Sequence, residues 1–554
     1  MDTIRRWDRP GVIAAAMILA AVTGVPATAE VTGVAISADR IRIHTAVLGS
    51  DAMSGRAPGS TGGKRAAGYL VRELADAGVQ PFGDRGRFEQ RVQLHASLAR
   101  AESNLDVWNL GQIRRLRLGD DYLLATAGSQ TFIPSRVPMV FVGYGIVAPE
   151  FDYNDYQAVD VRGKVVVYLA GEPESDDPDY FKGVVPSVYA APETKQKIAL
   201  TRGAVGSILL VSPRPGFDKG WRRAQQEYGF ESLSLSYSLP EHLNAVFHPA
   251  VAEWLFSDAL YDLDAVLDMA TAGTLRSFYL PTELSFHGHF SERDLVAANV
   301  VGWIPGVDPE LRDRFVVVLA HYDHLGVGPA LDGDEIYNGV VDNALGVSCV
   351  LELARALATT SLPPRRSLII LFSTAEEAGL LGARFFLAHP PVPPARMTAA
   401  VNVDGLAFLH SFRDLVGIGG ELSDLGRRLG WAVRSLGLSV TPPPDEIWDH
   451  AAYSRGDQLA FAEAGIPSIL VNEGFDWPGL TENEAVARAM TWMAERYHTP
   501  RDDLDQPLDF DAAALHCTAI GELVLEIANN PKPPSWHPMS PYAYERALSI
   551  ALDH

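Results

Sequence analysis

An α/β fold, an αβα sandwich with a mainly parallel central sheet and an inserted β-rich unit, is what the sequence predicts, and three observations predict it. Short apolar runs at residues 316–319, 368–372 and 399–403 each break abruptly into polar and acidic residues, as buried parallel strands do at their carboxyl ends. Helix-like segments at 347–357, 380–387, 424–436, 450–464 and 511–528 alternate with them, the order that builds a parallel sheet covered on both faces. Between about residues 131 and 285, the strand-like stretches VPMVFVGYGI, GKVVVYLAG and GSILLVS are separated by Gly, Pro and Asp turns, with a helical stretch around residues 194–202. That region reads as a separate unit set into the first.

The N-terminus carries Arg5, Arg6 and Arg9, an apolar stretch over residues 11–25, and Ala27-Thr28-Ala29. A positive start, a short apolar core and a small-x-small site predict a secretory signal peptide over residues 1–29 and an exported protein, periplasmic or secreted. The apolar run is shorter than the roughly 20 residues of a spanning helix; an uncleaved N-terminal anchor is the alternative. Residues 30–130 are then the first part of the main domain, 131–285 the insert, 286–530 the catalytic part and 531–554 a Pro-rich tail, packed on the surface or disordered. The turn-rich stretch SGRAPGSTGG, residues 54–63, leads into a helix with apolar positions at Ala67, Tyr69, Leu70, Leu74 and Ala77.

With 554 residues, 47% hydrophobic and 21% charged, the chain can bury a sizeable core in two domains. A net charge of −23 opposes binding to nucleic acid or to an anionic membrane surface. Cys349 and Cys517 each sit in an apolar helix-like segment without metal-ligand spacing, which favours two buried thiols over a pair.

The chemistry-bearing residues fall at the predicted strand ends: His321-Tyr322-Asp323-His324 after the first run, Glu376-Glu377 after the second and Asp404 after the third. In open α/β sheets the carboxyl ends of the strands gather on one edge, where ligands bind. Asp342 precedes another apolar helix, and His498 follows the helix-like segment 484–496. Two imidazoles and three carboxylates suit zinc, and they exceed what one open tetrahedral site needs; two ions sharing a bridging carboxylate use them all. Taken singly, each of these residues reads as a cap, a turn residue or a solvated rim group, so the case rests on the set.

The motifs HYD (321–323), DNALG (342–346), EE (376–377), NVDG (402–405) and YH (497–498) resemble, in order, the pattern of the M28 family of zinc peptidases. The resemblance implies that His321 and Asp404 hold one zinc ion, Glu377 and His498 a second, and that Asp342 bridges them. Glu376 is then free to act as general base, Asp323 is suited to fix the His321 tautomer, and Tyr497 matches a tyrosine that stabilises the tetrahedral intermediate. The segment SDAMSGRAPG resembles the stretch before the first long helix of the family's catalytic domain, and is read as fold with a part in the pocket rim. GYGIVAPEFDYNDY and VDVRGKVVV resemble a protease-associated (PA) domain, whose implied role is to screen substrates at the cleft. Where the family often carries Ser-Asp-His before a GIP turn, this chain has Gly456, Asp457 and Gln458, which bears on the substrate pocket. His324 has no assigned role and reads as a solvated loop residue; His450 reads as a helix-terminal surface residue or part of the rim.

The activity implied is that of a zinc-dependent exopeptidase acting on peptides, in the first place an aminopeptidase. A metallo-carboxypeptidase of the same family or a non-enzymatic receptor or scaffold are the alternatives. A cyclase of N-terminal glutamine shares the fold, but its kind uses a single zinc and lacks the insert.

Overall fold

The protein is described here by a computed structural model covering residues 34–552, except 129–130, 174, 176, 178–179, 182–186, 188, 212–220, 222–223, 226–227, 239–241 and 445–450. The expected signal peptide and His450 lie outside the described residues.

Ten strands make the first sheet: β1 (Gln80–Pro81), β2 (Glu89–Ala99), β3 (Ser232–Leu235), β4 (Phe290–Ile304), β5 (Phe315–His321), β6 (Ser367–Ser373), β7 (Met397–Asn402), β8 (Asp414–Ile418), β9 (Ser439–Val440) and β10 (Ser468–Glu473). Their spatial order is β3-β2-β4-β6-β5-β7-β10-β8-β9, with β1 paired to β4. The helices that concern the site are α1 (Ala38–Leu48), α2 (Thr61–Asp76), α3 (Gly346–Thr359), α4 (Leu381–Ala388), α5 (Leu425–Ala432), α6 (Gln458–Glu463), α7 (Glu482–Glu495) and α8 (Phe510–Asn529).

Strand β5 shows why its sequence is apolar throughout. Successive side chains point to opposite faces: Val316, Val318 and Ala320 join a core with residues of α1, α2, α3, α5 and α8, while Phe315, Val317 and Leu319 join another with Ala383 and Phe386 of α4 and Phe461 of α6. Both faces are covered, so each of these Val, Leu and Phe side chains contributes the roughly 1.5–3 kcal/mol of full apolar burial. The helices on two faces give the sandwich that the alternation predicts.

The sheet is mixed, which corrects the expectation of a mainly parallel one. Strands β6, β5, β7 and β10 run parallel, but β4 pairs antiparallel with both β2 and β6, and β8 antiparallel with β10. Strands β2 and β4 are joined by the long excursion into the second sheet instead of a helical crossover, which leaves antiparallel pairing free to form.

That second sheet has eight strands drawn from residues 104–287 and its own two cores, one against the helices Pro249–Phe256 and Leu263–Thr271. Its first strands, Asn104–Asn109 and Gln112–Leu116, precede residue 131, and β3, from within the excursion, returns to the edge of the first sheet beside β2.

Cys349 and Cys517 form a disulfide between α3 and α8, with Cα atoms 5.6 Å apart, instead of remaining as two thiols. Both helices lie against the same sheet face, so the apolar sides that bury the cysteines also bring them together. The tail docks by Trp536, which is buried and donates from Nε1 to the Gly465 carbonyl at 2.8 Å; a last helix, Ala543–Leu552, follows with no buried residue.

Candidate metal centre

Strands β5, β6 and β7 are adjacent and parallel, with His321 in register with Ser373 and Leu319 with Asn402. Their carboxyl ends therefore deliver His321, the Glu376-Glu377 pair and Asp404 to one edge of the sheet. Ala375, just before the two glutamates, has φ 56°, and His498 also has φ 56°; both are left-handed conformations that non-glycine residues adopt only where the surroundings hold them.

The Asp342 carboxylate lies at the centre. His321 Nε2 is 3.3 Å from its Oδ1 and 3.2 Å from Asp404 Oδ1. On the other side, His498 Nε2 is 3.2 Å from Asp342 Oδ2 and 3.1 Å from Glu377 Oε2. Asp342 thus turns one oxygen to each of two groups, and the structure brings all five expected ligands together. Ligand atoms of His321, Asp342 and Asp404 lie within 4.8 Å of one another, as do those of His324, Asp342 and Glu377.

His324 corrects the sequence reading. It is fully buried, and its Nδ1 is 2.6 Å from Glu377 Oε1. The fourth residue of the HYDH run was its only sequence signal.

Several residues hold the ligands in place. The buried Asp502 carboxylate accepts the backbone N–H groups of Val341 (3.0 Å) and Asp342 (3.1 Å) and a 2.7 Å bond from the Gln506 amide. A cis peptide joins Asp342 to Asn343. Asn343 donates from Nδ2 to the Val403 carbonyl and accepts the Gly405 N–H, both at 2.9 Å. Arg56, from the SGRAPG turn, is fully buried and donates to the carbonyls of Leu48, Tyr322, Asn338 and Gly339. It therefore ties the first turn-rich segment to the strand end and to the loop before Asp342, and is not part of a rim.

The two glutamates part ways. Burial and then the Asp342 charge push Glu377 up, but the His498 and His324 imidazoles outweigh both and bring the carboxyl down to about 2. Burial holds the Glu376 carboxyl well above the usual range, with the charges of Asp404, Asp457 and Glu377 adding to it and His321 opposing. Its backbone N–H donates to Asp323 Oδ1 at 3.2 Å. Asp323 lies 3.9 Å from His321 Nδ1, longer than the direct hydrogen bond its spacing suggests, and burial pushes its carboxyl up to about 7. The Tyr497 ring stacks on His498 at 3.9 Å; burial and then the charges of Asp342, Glu377, Asp404 and Glu376 hold its phenol well above the usual range, so the hydroxyl keeps its proton.

Gln458 is fully buried: its Oε1 accepts from Asn402 at 2.7 Å and its Nε2 donates to the Tyr453 carbonyl at 2.9 Å. The departure from Ser-Asp-His therefore changes the core beneath the site and not a pocket wall. Asp457, beside it, accepts from the Ser373 hydroxyl.

These residues fit a divalent ion. Asp323, Asp342, Glu376, Glu377, Asp404, Asp457 and Asp502 crowd one region, and five of the seven are buried, Glu377 and Asp404 being half-buried. Between them, His321 Nε2 and His498 Nε2 each face two carboxylate oxygens at 3.1–3.3 Å, and His498 Nε2 is directed squarely at neither of its two. Buried polar atoms seldom stay unpaired, and a mixed imidazole and carboxylate donor set is that of zinc.

The comparisons agree. Residues 299–524 match the model of Peptidase family M28. A vacuolar membrane protease of Paracoccidioides brasiliensis (strain Pb03) is 34% identical over 54% of this chain and 29% of its own length. A probable zinc metalloprotease of Pyrenophora tritici-repentis is 25% identical over 40% of this chain and 55% of its own length. The chain thus spans between under a third and just over half the length of these relatives. Among solved structures, the aminopeptidase from Aneurinibacillus sp. strain AM-1 aligns with a TM-score of 0.52 and 18% identity, covering 91% of this chain and 97% of that one, a likeness of fold alone.

The expectation of a secreted or periplasmic protein is overturned by these relatives, several of which are named vacuolar membrane proteases. Among the described residues no helix is long and apolar enough to cross a membrane. The chain carries, over residues 299–524, a metallopeptidase domain of family M28.

Proposed function

We propose that this chain is a zinc-dependent aminopeptidase that hydrolyses N-terminal residues of peptides, with two zinc ions and Glu376 as general base. The observation that carries the reading is the division of labour between consecutive carboxylates: Glu377 turns to His498 and His324, while Glu376 stays near His321 and Asp404 and outside the ligand contacts. His321, Asp342 and Asp404 would hold one ion, and Asp342, Glu377 and His498 the other. Zinc, when bound, lowers the pKa of water and polarises the scissile carbonyl.

The residues of the chain do the rest. Glu376 is placed to take the proton of the attacking water and pass it to the leaving amine. Asp323 holds the Glu376 backbone and faces His321, so it positions both. The protonated Tyr497 hydroxyl would donate to the oxyanion, a contact typically worth about 3 kcal/mol of barrier. The unit built on the second sheet would be a PA-type insert that screens peptide substrates.

The test is product release from matched peptides with free and acetylated N-termini, with Glu376→Gln as control. Hydrolysis of only the free-amine peptides, one residue at a time, and a loss of about 10²–10⁴-fold in the variant at unchanged zinc content are expected. Release from the other terminus would replace the reading with a carboxypeptidase; no release by the zinc-loaded protein would replace it with a binding role.

A further inference from the structure

His324 stands outside the family pattern of ligands, yet its place is built for it. It is fully buried, and a Cβ on Gly339 would lie 2.5 Å from its Cγ and Cδ2, so only the bare glycine, at φ +58°, leaves room for the ring. Its Nδ1 is 2.6 Å from Glu377 Oε1, within the short range of charge-assisted hydrogen bonds. Its Nε2 is buried without a partner among the described residues. A proton on Nε2 would leave a buried donor unmet, whereas a proton on Nδ1 points at the carboxylate, so this tautomer is the favoured one.

The other oxygen of Glu377, Oε2, is the one 3.1 Å from His498 Nε2. The two histidines thus hold one carboxylate from both sides, their rings edge to face with centroids 5.7 Å apart. Among the described residues Asp404 has no such partner: its polar contact is with His321 Nε2, and its side chain is 25% exposed against 11% for Glu377. A ligand carboxylate fixed by a hydrogen bond from behind binds metal more tightly than a free one, and losing such a bond typically lowers metal affinity by 10- to 100-fold.

We infer that His324 is a positioning residue that locks Glu377 with Oε2 turned to the subsite of Asp342, Glu377 and His498, making that subsite the tighter of two unequal metal positions. The inference rests on the two-ion part of the proposed function and is independent of which peptide terminus is cut.

The experiment is a zinc titration of the metal-free protein against a chromophoric chelator, followed by cobalt substitution. In the parent, two classes of site are expected; in His324→Ala the tighter class weakens by about 10- to 100-fold while the weaker one stays. His324→Asn, whose amide can still donate to Glu377, restores most of the affinity, a rescue that a merely space-filling histidine would not show. Thermal unfolding of the metal-free variants checks that both are folded. Two classes left unchanged by His324→Ala, or both weakened equally, overturn the inference. His324→Asn as weak as alanine, with an altered cobalt absorption intensity, overturns positioning in favour of direct ligation. A single ion bound by the parent overturns the two-ion reading itself.

Discussion

Asn343 grips the chain on both sides of Asp404, donating to the Val403 carbonyl and accepting the Gly405 N–H, each at 2.9 Å. The residue next to Asp342 thereby sets the position of Asp404 on another strand end. Asn343→Ala leaves a buried carbonyl and a partly buried N–H unmet, the first costing about 1–3 kcal/mol. A fall of about 1–3 kcal/mol in stability by urea unfolding is expected, with weaker zinc binding at the subsite of His321 and Asp404. Asn343→Ala with parent-like zinc titration would show that Asp404 is held by other means.

Asp502 works on Asp342 through the backbone, accepting the N–H groups of Val341 and Asp342. Since Asp342 faces both subsites, Asp502→Ala is expected to weaken both classes of zinc site, by roughly tenfold each, in contrast to the selective effect of His324→Ala. Calorimetric zinc titration distinguishes them: loss at one class only would mean that the Asp342 loop keeps its shape without Asp502.

The residues that announce themselves in the sequence are those whose type and strand-end position coincide: His321, Glu376, Glu377 and Asp404 follow apolar runs, and the parallel register of β5, β6 and β7 gathers them. The groups that position them were less legible because their partners are distant in the chain. Arg56 serves carbonyls near residue 338, and Asp502 serves N–H groups near residue 341, and no local periodicity records either. His324 reads as solvated because a histidine beyond a strand end usually faces solvent, and only the bare Gly339 makes its burial possible. The mixed sheet escaped detection for a similar reason: strand direction follows the route between strands, and the route from β2 to β4 runs through a second sheet.

The disulfide joins α3 and α8 across 168 residues of sequence. In the chain-entropy account, a cross-link closing a loop of that length restricts the unfolded chain by about 5 kcal/mol, which serves as an upper estimate. The double variant Cys349→Ala, Cys517→Ala is expected to lose about 3–5 kcal/mol by urea unfolding, and a reductant is expected to shift the parent toward it but not the variant. Equal midpoints for parent and variant would show that core packing alone holds the two helices together.

Two buried histidines away from the metal centre are expected to make the fold sensitive to acid. His516 accepts the Ala407 N–H at Nδ1 (3.0 Å) and approaches the Val471 carbonyl with Nε2 (3.1 Å), and burial brings it down from the usual 6.5 to about 4. Burial, with Arg40 adding to it, does the same to His44, whose Nδ1 is 2.6 Å from the Tyr69 hydroxyl. Between pH 6.5 and 4 the unfolded chain takes up protons that the folded chain refuses, so the stability each neutral ring supplies is whole above pH 6.5 and drains away as the pH falls toward 4. The fall from 6.5 to about 4 corresponds to roughly 3 kcal/mol per histidine. His516→Gln is therefore expected to be less stable than the parent at pH 7.5 but to lose less on acidification, with urea midpoints measured at intervals from pH 7.5 to 4. Parallel pH profiles for parent and variant would place the acid sensitivity among the carboxylates instead.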